Sequence, residues 1–285
     1  MTKIRVSIWK VLIYFLLFLL SLTMILPFLN ILSISLSSRI YVDQNKVWFF
    51  PLGFTFDSFI KVLQDVALLK AFGVNFFVTI VGTVLSITVT SLMAYSLSRK
   101  EFLPSKYITL LVVFTMIFQA PVIPFFFTVK ALGMVNTVWA LILPLTVDAF
   151  NLIIIKSFFM ETPEELIDSG KIDGCGDLRI LFNIVLPISK PVLATIGLFY
   201  AVIYWNIFYN CLLFISNMDL WTLQMHIRSL LVGSRDVMIS YLNFNYNVTT
   251  MQMAQVVLAM IPIIAIYPFL QRYFVAGVTL GALKG

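Results

Sequence analysis

The sequence is poor in charge. Asp, Glu, Lys and Arg make up 11% of its 285 residues, against about a quarter of an ordinary soluble domain. With 61% of the residues hydrophobic, there is too little polar side chain to cover a water-facing surface. An all-α membrane protein is expected. Cysteine is scarce: Cys175 and Cys211 lie far apart and near opposite faces of the expected bilayer, so no disulfide is expected. The single histidine, His226, has no neighbours with which to hold a metal. No G-x-x-x-x-G-K-[ST] loop is present to cradle phosphates, and no H-E-x-x-H or nucleophile elbow appears. The chain is therefore not expected to be an enzyme, to hold a metal or to carry a cofactor of its own. Polar and apolar residues do not alternate through the apolar runs, which excludes a transmembrane β-barrel.

What is abundant is long apolar sequence. A spanning helix needs about 20 mostly apolar residues, and six segments qualify: roughly 10–36, 72–98, 107–129, 136–159, 188–215 and 251–274. The first is too long for a signal peptide and lacks a small-residue cleavage site, so it is read as a retained span. The net charge of +6 is read as a topology signal, not a nucleic-acid footprint. Placing both termini in the cytoplasm puts twelve of the nineteen lysines and arginines inside, as the positive-inside rule requires. The short Ser98–Lys106 loop, with Arg99, Lys100 and Lys106, gives the cleanest local signal. Two longer loops, 37–70 and 216–250, then face outward. Phe54–Lys70 has a helical apolar stripe, and Pro121 and Pro124 interrupt the third span.

One segment breaks the apolar pattern. Residues 160–187, between the fourth and fifth spans, form one polar insert. Thr162-Pro163-Glu164-Glu165 reads as a helix start, with Thr162 and Glu165 as a capping box. The helix is expected to run to about Lys171 and to end at Gly174 in the left-handed conformation. Asp177 starts a second helix with an apolar stripe at Leu178, Leu181, Phe182 and Val185. Connections between bundle helices usually take about 2–8 residues, so a structured insert of this length suggests a dedicated job. Two readings stay open: a solvated loop packed on its own bundle, or a helix offered to a partner's groove.

Within it, Asp168-Ser169-Gly170 is followed by three residues, Gly174, nine residues, and Ile184-Val185-Leu186-Pro187. This spacing resembles the cytoplasmic signature of membrane subunits of ABC importers, written E-A-A, three residues, G, nine residues, I-x-L-P. The stretches "IDGCGDLRILFNIVLPISKPVLATIGLFYAVIYWN" and "YPFLQRYFVAGVTLGALKG" are similar to the smaller membrane subunit of carbohydrate importers, the maltose-transporter group. The closest likeness is to subunits for oligosaccharide or complex-polysaccharide uptake. The chain departs from the pattern in having Asp168, Ser169 and Gly170 where the family has glutamate and two alanines. The resemblance implies a type I ABC importer fold of six transmembrane helices with cytoplasmic coupling helices. It implies that Glu165, Asp168, Ser169, Gly170, Asp173, Gly174, Ile184, Leu186 and Pro187 belong to a segment docked on an ATPase subunit. Two such subunits, binding ATP and Mg, a homologous second permease and an extracytoplasmic solute-binding protein are the implied partners, in a bacterial plasma membrane.

Polar residues inside spans are candidates for a solute path. Asp148 and Asn151 lie in the fourth span, and Tyr200, Tyr204, Trp205, Asn206, Tyr209 and Asn210 lie within eleven residues of the fifth. Rings stack on sugar rings, while amides and hydroxyls pair with sugar hydroxyls. Gln119, beside the proline break, joins this set. The outer loop with Trp221, His226, Arg228 and Arg235 is where a binding protein would dock. An ion-driven secondary carrier is the rival. Such carriers show duplicated halves and intramembrane charges for the coupling ion, and one aspartate with no visible duplication opposes that reading. A permease for amino acids or peptides is opposed only by the likeness to the sugar group.

Overall fold

The structure is a computed structural model and describes residues 8–118, 120–232 and 248–282. Among them there is no strand. Three helices among the described residues are long and apolar enough to cross a membrane: Trp9–Ser35 within α1 (Ile8–Ser35), α4 (Val66–Ser98), and Val248–Ile266 within the last described helix, α15 (Val248–Ala282). The count is five if two bent pairs each make one span. One pair is Trp139–Leu145 with α8 (Ala149–Met160), bent by 49°; the other is Asp177–Ile188 with α12 (Lys190–Trp205), bent by 87°. Two shorter apolar helices, α5 (Ser105–Ile117) and α6 (Val122–Ala131), lie where the third span is expected. Six spans fit this arrangement when α5 and α6 together count as one.

Each interruption has a local cause. The stretch 54–70 is not one helix: α3 (Asp57–Gln64) stops, and Asp65 Oδ1 accepts from Ala67 N at 2.9 Å to start α4. The second span therefore begins six residues before the expected position. At the third span, α5 ends at Ile117 and α6 begins after Pro121. Pro124 then sits in the first turn of α6, where a missing N–H costs no helical bond. In the fourth, α7 (Trp139–Ile142) tightens into a 3₁₀ turn at Leu143–Leu145, which contains Pro144. Asp148 then caps α8, its carboxylate accepting from Asn151 N at 2.9 Å. The fifth divides between α12 and α13 (Tyr209–Phe214).

The chain folds as two compact units. The first holds α1, α2 (Arg39–Asp43), α3 and α15 up to Ile263. There the loop after α1 folds back on it: Ser37 Oγ donates to Ser33 O at 2.6 Å and accepts from Leu52 N at 3.0 Å, and Asn30 Nδ2 donates to Trp48 O at 2.7 Å. The second unit runs from Leu69 to His226 and continues past Ile264. Its core centres on Leu141, Ile142, Leu152, Ile155, Phe159, Ile196, Tyr200 and Tyr204. Glycines set its closest helix approaches. A Cβ at Gly82 would stand 2.7 Å from the Tyr204 ring, and one at Gly197 2.8 Å from Ile87 Cδ1. Asn136 ties two connections together, its Oδ1 accepting from Ser216 N at 2.7 Å.

Candidate functional site

The 160–187 segment folds as two short helices about a glycine elbow. Helix α9 (Glu164–Ile172) begins after Pro163, whose φ of −55° and ψ of 131° occupy the cap position. The expected capping box does not form: no side chain caps this terminus, and Thr162 is buried one position upstream. The helix start is shifted by one residue, so a Thr162 side chain is no longer placed to reach the first free N–H groups. The other end closes as expected. Gly174 takes φ +74°, its N–H donates to Lys171 O at 3.0 Å, and Cys175 N donates to Gly170 O at 2.9 Å. That pair of bonds is a Schellman motif.

The chain then forms α10 (Asp177–Ile180), a π turn over Leu181–Val185, and α11 (Leu186–Ile188). Ile180, Leu181 and Val185 are buried, whereas Leu178 and Phe182 are exposed. The single apolar stripe expected here is therefore split. A π turn closes its bonds at i→i+5, and the wider turn carries Phe182 outward while Leu181 and Val185 stay inside. On α9, Ile167 and Gly170 face inward, and Glu165, Asp168 and Ser169 are exposed. Asp173, Gly174 and Pro187 are also exposed, while Ile184 and Leu186 are half-buried.

The loop joining α4 to α5 is bound to this segment by charge. Lys100 Nζ forms an ion pair with Glu164 Oε1, and Lys171 Nζ lies 2.9 Å from Glu101 Oε1. The Lys171 ammonium donates to the Glu101 carboxylate and holds it below the usual carboxylate range. The same hydrogen bond raises Lys171, and Glu164 raises Lys100 in the same way. Beside them the Arg99 guanidinium lies over the Tyr95 ring, 4.2 Å from its centroid, a cation–π contact. A recess of about 550 Å³ there is lined by Tyr95, Arg99, Glu101, Lys171, Asp177 and Leu181, among others. The sequence singled out Arg99 and Lys100 only as topology charges. Their acidic neighbour Glu101, in the same tight loop, was the available signal that the loop had a partner.

The polar residues of the fourth and fifth spans are partly brought together. Tyr200 Oη lies 2.8 Å from Thr90 Oγ1 and accepts from Asp148 N at 3.1 Å. Tyr204 Oη lies 2.9 Å from Ser86 Oγ and donates to Ile142 O at 3.0 Å. Both tyrosines are fully buried, and both hydroxyls are used within the fold. They fasten α4 to the break between α7 and α8. Asn151, Trp205 and Asn210 are buried, with Asn151 Nδ2, Trp205 Nε1 and Asn210 Nδ2 having no hydrogen-bond partner among the described residues. Asn206 is exposed, its amide donating to Val202 O, and Tyr209 is half exposed. Gln119 and Arg235 lie outside the described residues.

Residues 86–280 match the family described as "binding-protein-dependent transport system inner membrane component". The chain is 39% identical over 282 residues to a polygalacturonan/rhamnogalacturonan transport system permease protein of Bacillus subtilis, covering 98% of this chain and 99% of that one. It is 30% identical to an arabinooligosaccharides transport system permease protein of Halalkalibacterium halodurans, covering 92% of this chain and 91% of that one. A solved bacterial ABC transporter involved in import of the acidic polysaccharide alginate contains a chain of the same fold. The TM-score is 0.89 at 27% identity, over 96% of this chain and 99% of that one. The matched region takes in the whole elbow segment and the α4–α5 loop with which it forms ion pairs, and this chain belongs to the family of binding-protein-dependent transport system inner membrane components.

Proposed function

We propose that this chain is one permease half of an ATP-driven importer for oligosaccharides or fragments of a complex polysaccharide. It works with a homologous second permease, two ATPase subunits and an extracytoplasmic solute-binding protein, in a bacterial plasma membrane with both termini cytoplasmic. The substrate class rests on the named substrates of its relatives, which are saccharides. ATP and Mg belong to the ATPase subunits, which supply the energy of hydrolysis.

The observation that carries the reading is the two-faced elbow. Ile167, Gly170, Ile180, Leu181 and Val185 are buried on the chain's own bundle. Leu166, Ile172, Leu178 and Phe182 remain exposed, Ile172 at 85%. Apolar knobs beside Glu165, Asp168 and Asp173 suit a groove on a partner with apolar pockets and a basic rim. The Schellman closure at Gly174 and the buried inner face make the elbow stiff, so displacement at its tip is carried into α8 and α12. The two permease halves then exchange inward and outward openings, an equilibrium that the nucleotide state of the ATPases biases. For the solute path, Asn206 and Tyr209 are exposed polar groups of the fifth span and so the first candidates to meet a sugar, with Gln119, Asp148 and Asn151 as further candidates.

Co-purification from a host carrying the neighbouring genes tests this. An ATPase subunit should be recovered in fixed ratio, and cysteines placed at 172 or 178 should cross-link to it. A chain that moves solute alone in liposomes, on an ion gradient without ATP, would instead be the secondary carrier.

A further inference from the structure

The coupling reading leaves a mechanical gap. Helix α9 is joined through the chain to α8 on one side and to α12 on the other. It has no nearby covalent route to α4 or α5, the second span and the first part of the third. Two ion pairs bridge that gap: Lys100 with Glu164, and Glu101 with Lys171. The loop carrying Lys100 and Glu101 is short and closed on itself. Phe102 N donates to Arg99 O at 3.3 Å, Ser105 N to Phe102 O at 3.0 Å, and Ser105 Oγ to Leu97 O.

The charge order matters more than either pair. Adjacent loop residues of opposite sign meet helix residues seven apart, hence on one face, with the signs reversed. Turning α9 end for end would set Lys100 against Lys171 and Glu101 against Glu164. The arrangement therefore selects one direction of the helix as well as one face. Arg99, packed on Tyr95 in the last turn of α4 and its end, seats the loop from behind.

We propose that Lys100 and Glu101 are positioning residues that latch the coupling helix to the inner ends of the second and third spans, so that its displacement drives those spans as well as the fourth and fifth. This rests on the proposed function above.

The test uses the whole reconstituted importer, with its ATPases, partner permease and binding protein, and reads solute imported per ATP hydrolysed. Glu101→Lys or Lys171→Glu alone should lower that ratio by roughly fivefold, the low end of ordinary coupling factors between sites. The double exchange, Glu101→Lys with Lys171→Glu, should restore it to within about twofold, because it rebuilds the pair. A purely structural contact would change assembly and leave the ratio intact. Where a single reversal fails to assemble, the neutral pair Glu101→Gln with Lys171→Gln is read instead, and a lowered ratio is expected. An unchanged ratio in the single or neutral variants, or a double exchange no better than the singles, overturns the latch. Failure of the native chain to recover any ATPase would overturn the function reading itself, a different result.

Discussion

Gly170 and Ile184 touch across the elbow: a Cβ built on Gly170 would stand 3.0 Å from Ile184 Cδ1 and 3.4 Å from Ile180 Cγ1. Residues from the two ends of the spaced signature are thus in contact, fourteen positions apart. The inner faces of α9 and the π turn meet where there is no side chain to separate them. Taken as a helix residue alone, Gly170 only weakens α9, by about 1 kcal/mol relative to alanine. As a contact, it sets how closely the two arms of the elbow approach.

Substitutions at 170 should therefore divide by size. Gly170→Ala gains helix propensity and needs Ile184 Cδ1 to give by a few tenths of an ångström, so transport should remain near the native level. Gly170→Leu forces the arms apart at a cost of about 1–3 kcal/mol for overpacking. It should sharply reduce ATPase recovery in co-purification while the spans still insert.

Gly174 presents the opposite case. A Cβ there would meet nothing within 4 Å, but φ is +74°. The constraint is the backbone, not space. Asn, which tolerates the left-handed region, should support uptake in place of Gly174. Gly174→Val should cost about 1–2 kcal/mol of local strain and open the Schellman turn, read as faster proteolysis at the elbow and lost uptake.

Tyr204 should prove structural. Its hydroxyl bonds Ile142 O and Ser86, and its ring fills the space that Gly82 leaves. Tyr204→Phe should lower stability in detergent by about 0.5–2 kcal/mol, the range for interhelical hydrogen bonds in membranes and their unsatisfied partners. Adding Ser86→Ala should cost less than it does alone. Gly82→Ala should be worse than either, because the ring cannot retreat from a fully buried site. Thermal unfolding of the purified chain reads all four variants.

The long apolar helices were legible because apolar length is a local property, and so were the break at Pro121 and the elbow at Gly174, where one residue type dictates the backbone. The contacts were not. Tyr200 and Tyr204 read as free polar groups in a span because their partners Thr90 and Ser86 lie 110 and 118 residues away. Lys100 reads as a topology charge until α9 is folded beside it. Thr162 illustrates a finer failure: the motif for a capping box is present, but a start displaced by one residue leaves it unused. Phe182 was placed on one stripe with Leu181 and Val185 because a period of 3.6 was assumed, and the π turn breaks that period.

The Glu101–Lys171 pair makes a last prediction about conditions. The carboxyl is held below its usual range and the ammonium above its own. A depressed carboxyl contributes stability that is present above its unfolded pKa and lost as pH falls through the folded one. A raised amine contributes stability that is present below its unfolded pKa and lost as pH rises through the folded one. Both groups are therefore charged throughout the window from about 5 to 10 set by ordinary Glu and Lys values. Within it, pH should leave the latch unchanged. Salt should not, because both side chains are exposed and the Debye length falls from about 10 Å at 0.1 M to about 3 Å at 1 M. Cysteines at 101 and 171 would remove the pair, so the probe belongs on neighbouring exposed positions, with spin labels at Leu103 and Ser169. Their distance distribution should broaden with added salt in the native chain and stay fixed between pH 6 and 9. In Glu101→Gln it should be broad at low salt already, and a distribution that is narrow under all these conditions would show that the apolar face of α9, not its charges, holds it to the loop.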